Sequence, residues 1–265
     1  MEKHINRGVI IIKDIINSDK TSKYTEEATN KLQDSNNELQ ALNATISHEI
    51  KAPVRAIDGY ARIFLEDYGN DLNNEGKDLI LNIRSICSDT LTLINKLLDY
   101  TRFAEAEPIQ EAIDLSLMIK DVFNELFISY SGSQTINLHM DEHIPSILAD
   151  RILIKQVLIN IISNSLKFTR NNKEVSVITI GYMFENNENI FYVKDNGVGF
   201  DMKFSENLFG MFQRMHSIDD FEGSGVGLAI VKKIIQKFGG KVWITGEVGK
   251  GACVYFTIAS EYILR

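Results

Sequence analysis

A heptad-like repeat in the first half of the chain constrains the fold more than any other feature. Between residues 75 and 103, mostly apolar side chains alternate steps of four and three: Leu79, Ile83, Ile86, Thr90, Leu93, Leu97 and Tyr100. A 3.5-residue period sustained over three heptads is typical of a left-handed helix–helix seam. The stretch before it has an apolar stripe of its own at helical spacing, up to about residue 67. Residues 68–74 contain Gly69 as a helix stop and Asn73 or Asn74 as the next N-cap, so we predict a helical hairpin.

One antiparallel hairpin cannot bury both apolar stripes. Two copies of it make a four-helix bundle, so we predict a homodimer. Residues 1–40 are polar with helical character, and they are predicted to form a helical or coiled-coil lead-in. A frayed arm before about residue 25 fits that segment equally well.

The first helix of the hairpin contains the stretch Ser47-His48-Glu49-Ile50-Lys51-Ala52-Pro53. At helical spacing, His48 points about 200° away from Ile46, so its imidazole is expected to face water. Pro53 is expected to kink the helix. An exposed imidazole beside the carboxylate of Glu49 is an accessible and tunable nucleophile. An ordinary surface histidine on an amphipathic helix explains this stretch equally well.

Composition excludes some classes of partner and location. The net charge of −8 gives no electrostatic support for nucleic-acid binding. The two cysteines, Cys87 and Cys253, are far apart and lack metal-ligand spacing, which suits a reducing cytoplasm. No apolar run approaches the roughly 18 residues that cross a bilayer. We therefore expect a cytoplasmic location, as a whole protein or as the cytoplasmic portion of a larger sensor, with membrane attachment only through upstream segments.

After a short linker at residues 105–108, strands and helices mix in a pattern that predicts an α+β sandwich with helices on one sheet face. Within it, Asn160, Asn164 and Lys167 lie at i, i+4 and i+7 on one face of a helix. Amides in an apolar helix are costly to bury unless they bind something. Amide oxygen suits Mg²⁺, and lysine suits phosphate. A solvated polar face is the alternative.

Two glycine-rich stretches follow. Asp195 ends a strand and precedes Gly197 and Gly199, so its carboxylate could accept from the amino group of a flat ligand such as adenine, although Asp-Asn-Gly is also an ordinary turn signal. Gly223-Ser224-Gly225-Val226-Gly227-Leu228 opens a helix, where exposed amides favour phosphate. Its spacing fits neither a Rossmann nor a Walker A motif. The stretch between them contains Arg214, which could reach a phosphate from a lid.

In this order, the three groups resemble the N, G1 and G2 boxes of the GHKL (Bergerat-type) ATP-binding fold. Residues 209–214 resemble the F box, and residues 47–53 resemble the H box. The chain is similar to sensor histidine kinases of the HisKA type over about residues 40–260, and residues 52–60 and 65–69 resemble the phytochrome-related subgroup. The resemblance implies a lead-in at 1–40, a helical-hairpin dimerisation and phosphotransfer domain at 41–104, and an α+β sandwich ATP-binding domain at 108–262.

The resemblance also implies roles for individual residues. His48 is the phosphoacceptor, Glu49 orients it and takes its proton, and Asn164 is the Mg²⁺ ligand. ATP and Mg²⁺ are the implied cofactors, and a response-regulator receiver domain is the implied partner. The implied nucleotide-binding residues are Asn160, Asn164, Lys167, Asp195, Gly197, Gly199, Arg214, Gly223, Gly225, Gly227 and Leu228, with Asp195 on adenine and Arg214 a candidate γ-phosphate contact.

One position departs from the family pattern. Many HisKA members have Thr or Asn four residues after the histidine, where it positions a water that dephosphorylates the partner. Here that residue is Ala52, which puts partner-phosphatase activity in doubt. Two alternative functions are a GHKL ATPase of the gyrase or MutL sort and a nucleotide-binding dimer scaffold. The sequence leaves open the input signal, the identity of the response regulator, and whether transfer occurs in cis or in trans.

Overall fold

A computed structural model describes residues 45–105, 108–130, 135–170, 175–213 and 223–264. The chain divides into two compact units, residues 1–56 and 57–265. Of the first unit, the structure describes residues 45–56, which form the first half of helix α1 (residues 45–68). The predicted lead-in at residues 1–40 lies outside the described residues.

The predicted hairpin turn is present. Helix α1 ends at residue 68, and α2 spans Asn74–Glu105. The side chain of Asn73 caps α2, because its Oδ1 accepts the backbone N–H of Gly76 at 2.8 Å. An ion pair between Asp58 and Arg84, at 2.8 Å, joins the two helices. The expectation that Asn73 or Asn74 caps the second helix is confirmed at Asn73.

Residues 108–264 form two layers, and the predicted α+β sandwich is confirmed. Helices α3, α4 and α5 make one layer. The other is a five-stranded sheet in the order β2-β4-β5-β7-β6, with β2 parallel to β4 and the remaining pairs antiparallel. The elements are β1 (Glu111–Ile113), α3 (Leu115–Tyr130), β2 (Ile136–Met140), β3 (Ile147–Ala149), α4 (Arg151–Thr169), β4 (Ser176–Glu185), β5 (Glu188–Asp195), α5 (Gly227–Lys237), β6 (Val242–Glu247) and β7 (Gly251–Ile258), with short 3₁₀ helices at Met202–Asn207 and Ser260–Tyr262.

Alternation along the strands places the core. Side chains that point to the helical layer are buried, among them Ile178, Phe191, Val254 and Phe256. The turn between β4 and β5 uses two residues with positive φ, Asn186 (50°) and Asn187 (64°), as the primed turns of tight hairpins require. Strands β1 and β3 pair in a small separate sheet. The sequence pattern did not assign β3 as a strand.

The apolar stripe of α2 divides into two parts. In its first half, Ile83 is 39% exposed and Ile86 is 64% exposed. In its second half, Leu93 and Tyr100 pack against the core of the α/β layers, and Phe103 is buried within that core. This corrects the prediction of one seam over three heptads, because the C-terminal half of α2 packs against α5 instead.

None of the helices in the described ranges combines the length and the apolar character that crossing a membrane requires.

Candidate functional site

A cavity of about 150 Å³ lies where α4, the start of α5 and the sheet meet. It contains polar residues at one part of its wall and apolar residues at another. The lining residues that the sequence predicted are Asn160, Asn164, Lys167, Asp195, Gly199, Gly225, Gly227 and Leu228. Residues that are distant in the chain therefore meet at one cavity, as the resemblance of their motifs to the N, G1 and G2 boxes predicted.

Helix α4 supplies the polar wall. The carboxylate of Asp150 caps its start and accepts the backbone N–H groups of Ile152 and Leu153 at 2.9 and 3.0 Å, which fixes where the helix begins. Leu158 and Ile162, on the side of α4 opposite Asn160, are buried in the core. Asn160 is only 8% exposed, so it does not belong to a solvated polar face, which was the alternative interpretation.

Two buried polar atoms at the cavity have no hydrogen-bond partner among the described residues: Nδ2 of Asn160 and Oγ of Ser224. A buried polar group without a partner costs about 1–3 kcal/mol. A ligand with hydrogen-bonding groups would satisfy both atoms. The cavity is thus built for a polar ligand at this wall.

Asp195 lies at the end of β5 and is 6% exposed. Its Oδ1 accepts the backbone N–H of Gly197 at 2.9 Å and that of Ala252 at 3.2 Å. Burial raises the pKa of this carboxyl above its ordinary value, while those two amides and the hydroxyl of Ser165 act in the opposite direction. The contacts fix the carboxylate in one orientation beside the cavity.

Apolar side chains form the wall next to Asp195. Phe200, Leu208, Ile244 and Val254 line it, and Phe200 is buried. None of these four residues was predicted from the sequence to lie at the site. Ile244 and Val254 could have been found from strand alternation, because their side chains point toward the helical layer. A carboxylate beside an apolar wall suits a flat base that has an amino group.

Close approach explains two of the predicted glycines. Gly199 has φ +60°, and a Cβ there would lie within 1.9 Å of the backbone oxygen of Glu247. A Cβ on Gly227 would lie 3.1 Å from Oδ1 of Asn160. Larger residues at either position would therefore displace the walls of the cavity.

Helix α5 begins at the cavity without a side-chain cap. Its N-cap residue, Val226, makes no side-chain hydrogen bond to the first turn, and Gly227 and Leu228 line the cavity. The start of α4, by contrast, is capped by Asp150. Uncapped amides and the positive end of the helix dipole favour an anion at this point.

Other predicted residues lie elsewhere. Gly197 and Gly223 are not among the lining residues, although Gly197 donates to Asp195 and a Cβ on Gly223 would lie 3.1 Å from Nζ of Lys167. Arg214 lies outside the described residues.

His48 and Glu49 are both exposed on α1, in line with the sequence expectation for the imidazole. Ala52, one turn further on, is exposed as well, and the helix continues through Pro53. These residues belong to the first compact unit.

The cavity also fits the magnesium that usually accompanies a polyphosphate. The amide of Asn164, which lines the same cavity as the start of α5, offers an oxygen ligand. In the described parts of the chain, no three His, Cys, Asp or Glu side chains group together to hold a metal ion. Mg²⁺ commonly binds through one or two protein oxygens, phosphate oxygens and water, so one amide ligand is compatible with it.

Comparison with known families and structures gives matches in both halves of the chain. Residues 38–106 match the His Kinase A (phospho-acceptor) domain, and residues 149–261 match the histidine kinase-, DNA gyrase B-, and HSP90-like ATPase domain.

Similar proteins include cyanobacterial phytochrome B of Nostoc sp., 34% identical over 86% of this chain, and the phytochrome-like protein Cph1 of Synechocystis sp., 32% identical over 86% of it. The chain spans 30% of the length of each of these two relatives. Among solved structures, full-length ShkA in complex with AMPPNP is 26% identical, with a TM-score of 0.61 over 84% of this chain and 46% of that one.

Proposed function

The chain belongs to the histidine kinase family, and from that premise we propose that it is a protein-histidine kinase that phosphorylates its own His48 from ATP. The expected resemblance to the phytochrome-related subgroup is confirmed by the two cyanobacterial relatives. A response-regulator aspartate then accepts the phosphoryl group from His48.

The observation that carries the proposal is the cavity with its two different walls. The oriented carboxylate of Asp195 beside apolar side chains suits adenine, and the unpartnered amide of Asn160 near the uncapped start of α5 suits a phosphate chain. A related structure was solved in complex with AMPPNP, which supports a nucleotide as the ligand.

In the proposed reaction, an imidazole nitrogen of His48 attacks the γ-phosphorus. A nitrogen–phosphorus bond forms, the bond to the β-phosphate oxygen breaks, and ADP leaves. Glu49, the next residue on α1, takes the imidazole proton. Asn160 and Lys167 hold the phosphates, and Asn164 would hold Mg²⁺, which supplies charge neutralisation when bound. Most of the rate enhancement then comes from positioning and electrostatics.

We also propose that the protein works as a homodimer through its helical hairpin. Ile57 of α1 and Ile83 and Ile86 of α2 are exposed in the single chain. Exposed large apolar side chains on a helical hairpin often mark an interface. Packing against a second hairpin would give the four-helix bundle that the sequence predicted.

Two alternatives are less well supported. A GHKL ATPase of the gyrase or MutL sort would not need the phospho-acceptor domain that residues 38–106 match. A nucleotide-binding scaffold would not need an exposed His–Glu pair on that domain.

The test is incubation with γ-labelled ATP and Mg²⁺, followed by analysis of the bound label. We expect a label that is lost in acid and retained in alkali, as phosphohistidine is. His48→Gln should abolish it and leave ATP binding nearly intact, whereas His143→Gln, at another exposed histidine, should not change it. Acid-labile label that persists in His48→Gln would refute the assignment of the acceptor.

A further inference from the structure

Lys96 lines the cavity, although its sequence context gave no indication of a role there. It lies on α2, within the segment that matches the phospho-acceptor domain, whereas the rest of the lining comes from the ATP-binding domain. Nothing in the local sequence of α2 distinguishes this lysine from the other cations of the helix. Only the packing of α2 against α5 brings it to the site.

The charge of Lys96 has no counterpart in the described part of the chain. Lys96 takes part in none of the ion pairs that the described residues form. Its side chain is half-buried, and burial lowers the pKa of its ammonium group. A partly desolvated cation without a counter-ion is unfavourable, and a bound anion would reverse that effect.

A second lysine, Lys167 of α4, lines the same cavity. The one carboxylate among the described lining residues is Asp195, which already accepts two backbone amides. The uncapped start of α5 adds further positive potential. Two lysines and a helix N-terminus around one cavity favour a ligand that has more than one negative charge.

We propose that Lys96 binds the phosphate chain of the nucleotide, so that a bound triphosphate fastens α2 to the ATP-binding domain. The inference rests on the proposed function and adds to it a binding residue from the phospho-acceptor domain. The contribution of Lys96 to ligand affinity then depends on the number of phosphates. Adenosine lacks the group that Lys96 binds, and ADP has one phosphate fewer than ATP.

The experiment is titration calorimetry of the full chain with ATP, ADP and adenosine, each with Mg²⁺, for the wild type and three variants. Lys96→Gln should weaken ATP binding by roughly tenfold or more and leave adenosine binding unchanged. Lys96→Arg, which keeps the charge, should retain most of the ATP affinity. Lys77→Gln makes the same change on the same helix away from the cavity and should bind all three ligands as the wild type does.

A second measurement tests the fastening of α2. In the wild type, ATP should slow hydrogen exchange of the backbone amides at residues 93–103, and adenosine should not. In Lys96→Gln the effect of ATP on these amides should be lost.

The outcomes separate the two proposals. ATP affinity in Lys96→Gln equal to that of Lys77→Gln would overturn the role of Lys96 and leave the nucleotide site intact. Equal weakening of ATP and adenosine would show a structural effect and would overturn it as well. If the wild type bound none of the three ligands, the nucleotide site of the proposed function would fall, and the Lys96 inference with it.

Discussion

At the scale of single residues, the buried carboxylate of Asp195 lowers the stability of the folded protein and, in the proposed function, binds adenine. Its carboxyl has a pKa raised chiefly by burial, so its ionised form is disfavoured in the folded protein. Asp195→Asn keeps an oxygen that can accept the amides of Gly197 and Ala252 and removes the charge. We expect this variant to be more stable than the wild type without nucleotide, and to bind ATP about 10- to 100-fold more weakly.

The pH dependence of this stability difference follows from the sign of the shift. Below the ordinary carboxyl pKa of 3.8, Asp195 is protonated in both the folded and the unfolded chain, so the variant gains nothing. As pH rises through the raised folded pKa, the wild type loses stability and the variant does not. Urea unfolding of both proteins between pH 4 and 8 measures the difference, and a gain that shrinks with rising pH would contradict the account.

Ala52 gives a second prediction at this scale. It is exposed one turn after His48, where a methyl group cannot hold a water in line with an acyl phosphate. We expect weak phosphatase activity toward the partner, and a partial gain from Ala52→Thr. One positioning hydrogen bond is worth about 2–4 kcal/mol of barrier, or roughly 30- to 1,000-fold in rate.

The measurement is the decay of the phosphorylated response regulator with nucleotide present. Ala56→Thr, one further turn along the exposed side of α1, is the matched control and should change nothing. Strong acceleration of the decay by the wild-type protein would show that another group positions the water.

At the scale of elements, periodicity predicted the helices of the hairpin to within two residues at the ends that can be compared. Periodicity could not predict which element each helix face packs against. Leu79 and Leu93 belong to one apolar stripe in the sequence, yet Leu79 is exposed and Leu93 packs on the α/β core. Nothing in a 3.5-residue repeat says whether its buried side meets another hairpin or a neighbouring domain. The same limit explains why Lys96 was not identified from the sequence.

This division of the stripe shows where to test the dimer. Ile83→Asp places a charge in the exposed half, where a second hairpin would bury it unpaired at a cost of several kcal/mol. We expect a monomer that keeps its nucleotide cavity. Ser85→Asp adds the same charge on another face of α2 and should remain dimeric. Sedimentation equilibrium measures both, and a stable dimer of Ile83→Asp would place the interface elsewhere.

At the scale of the whole molecule, the order of the motifs was enough to predict a helical hairpin followed by an α+β sandwich, with one nucleotide site in the sandwich. Asn160, Asp195 and Gly227 are far apart in sequence, and their meeting at one cavity could be expected only from the family resemblance. Physical reasoning on each motif alone left an ordinary turn at Asp195 and a solvated polar helix face at Asn160 as alternatives. The apolar wall and the contribution of α2 depend on long-range packing, which local patterns do not encode.

The burial of Phe103 of α2 in the α/β core matters for anyone who recombines such proteins. Consider a chimera in which the ATP-binding domain of this chain is joined at residue 106, the end of the phospho-acceptor match, to the phospho-acceptor domain of another protein. Such a chimera would replace Phe103 and its neighbours with foreign side chains and leave a void in the core of the ATP-binding domain. A junction in the turn at residues 69–73 would carry α2 along with the layers that it completes. A fragment of residues 74–265 should therefore melt at a higher temperature than a fragment of residues 108–265. Calorimetry of the two fragments would show whether α2 is part of the folded ATP-binding domain.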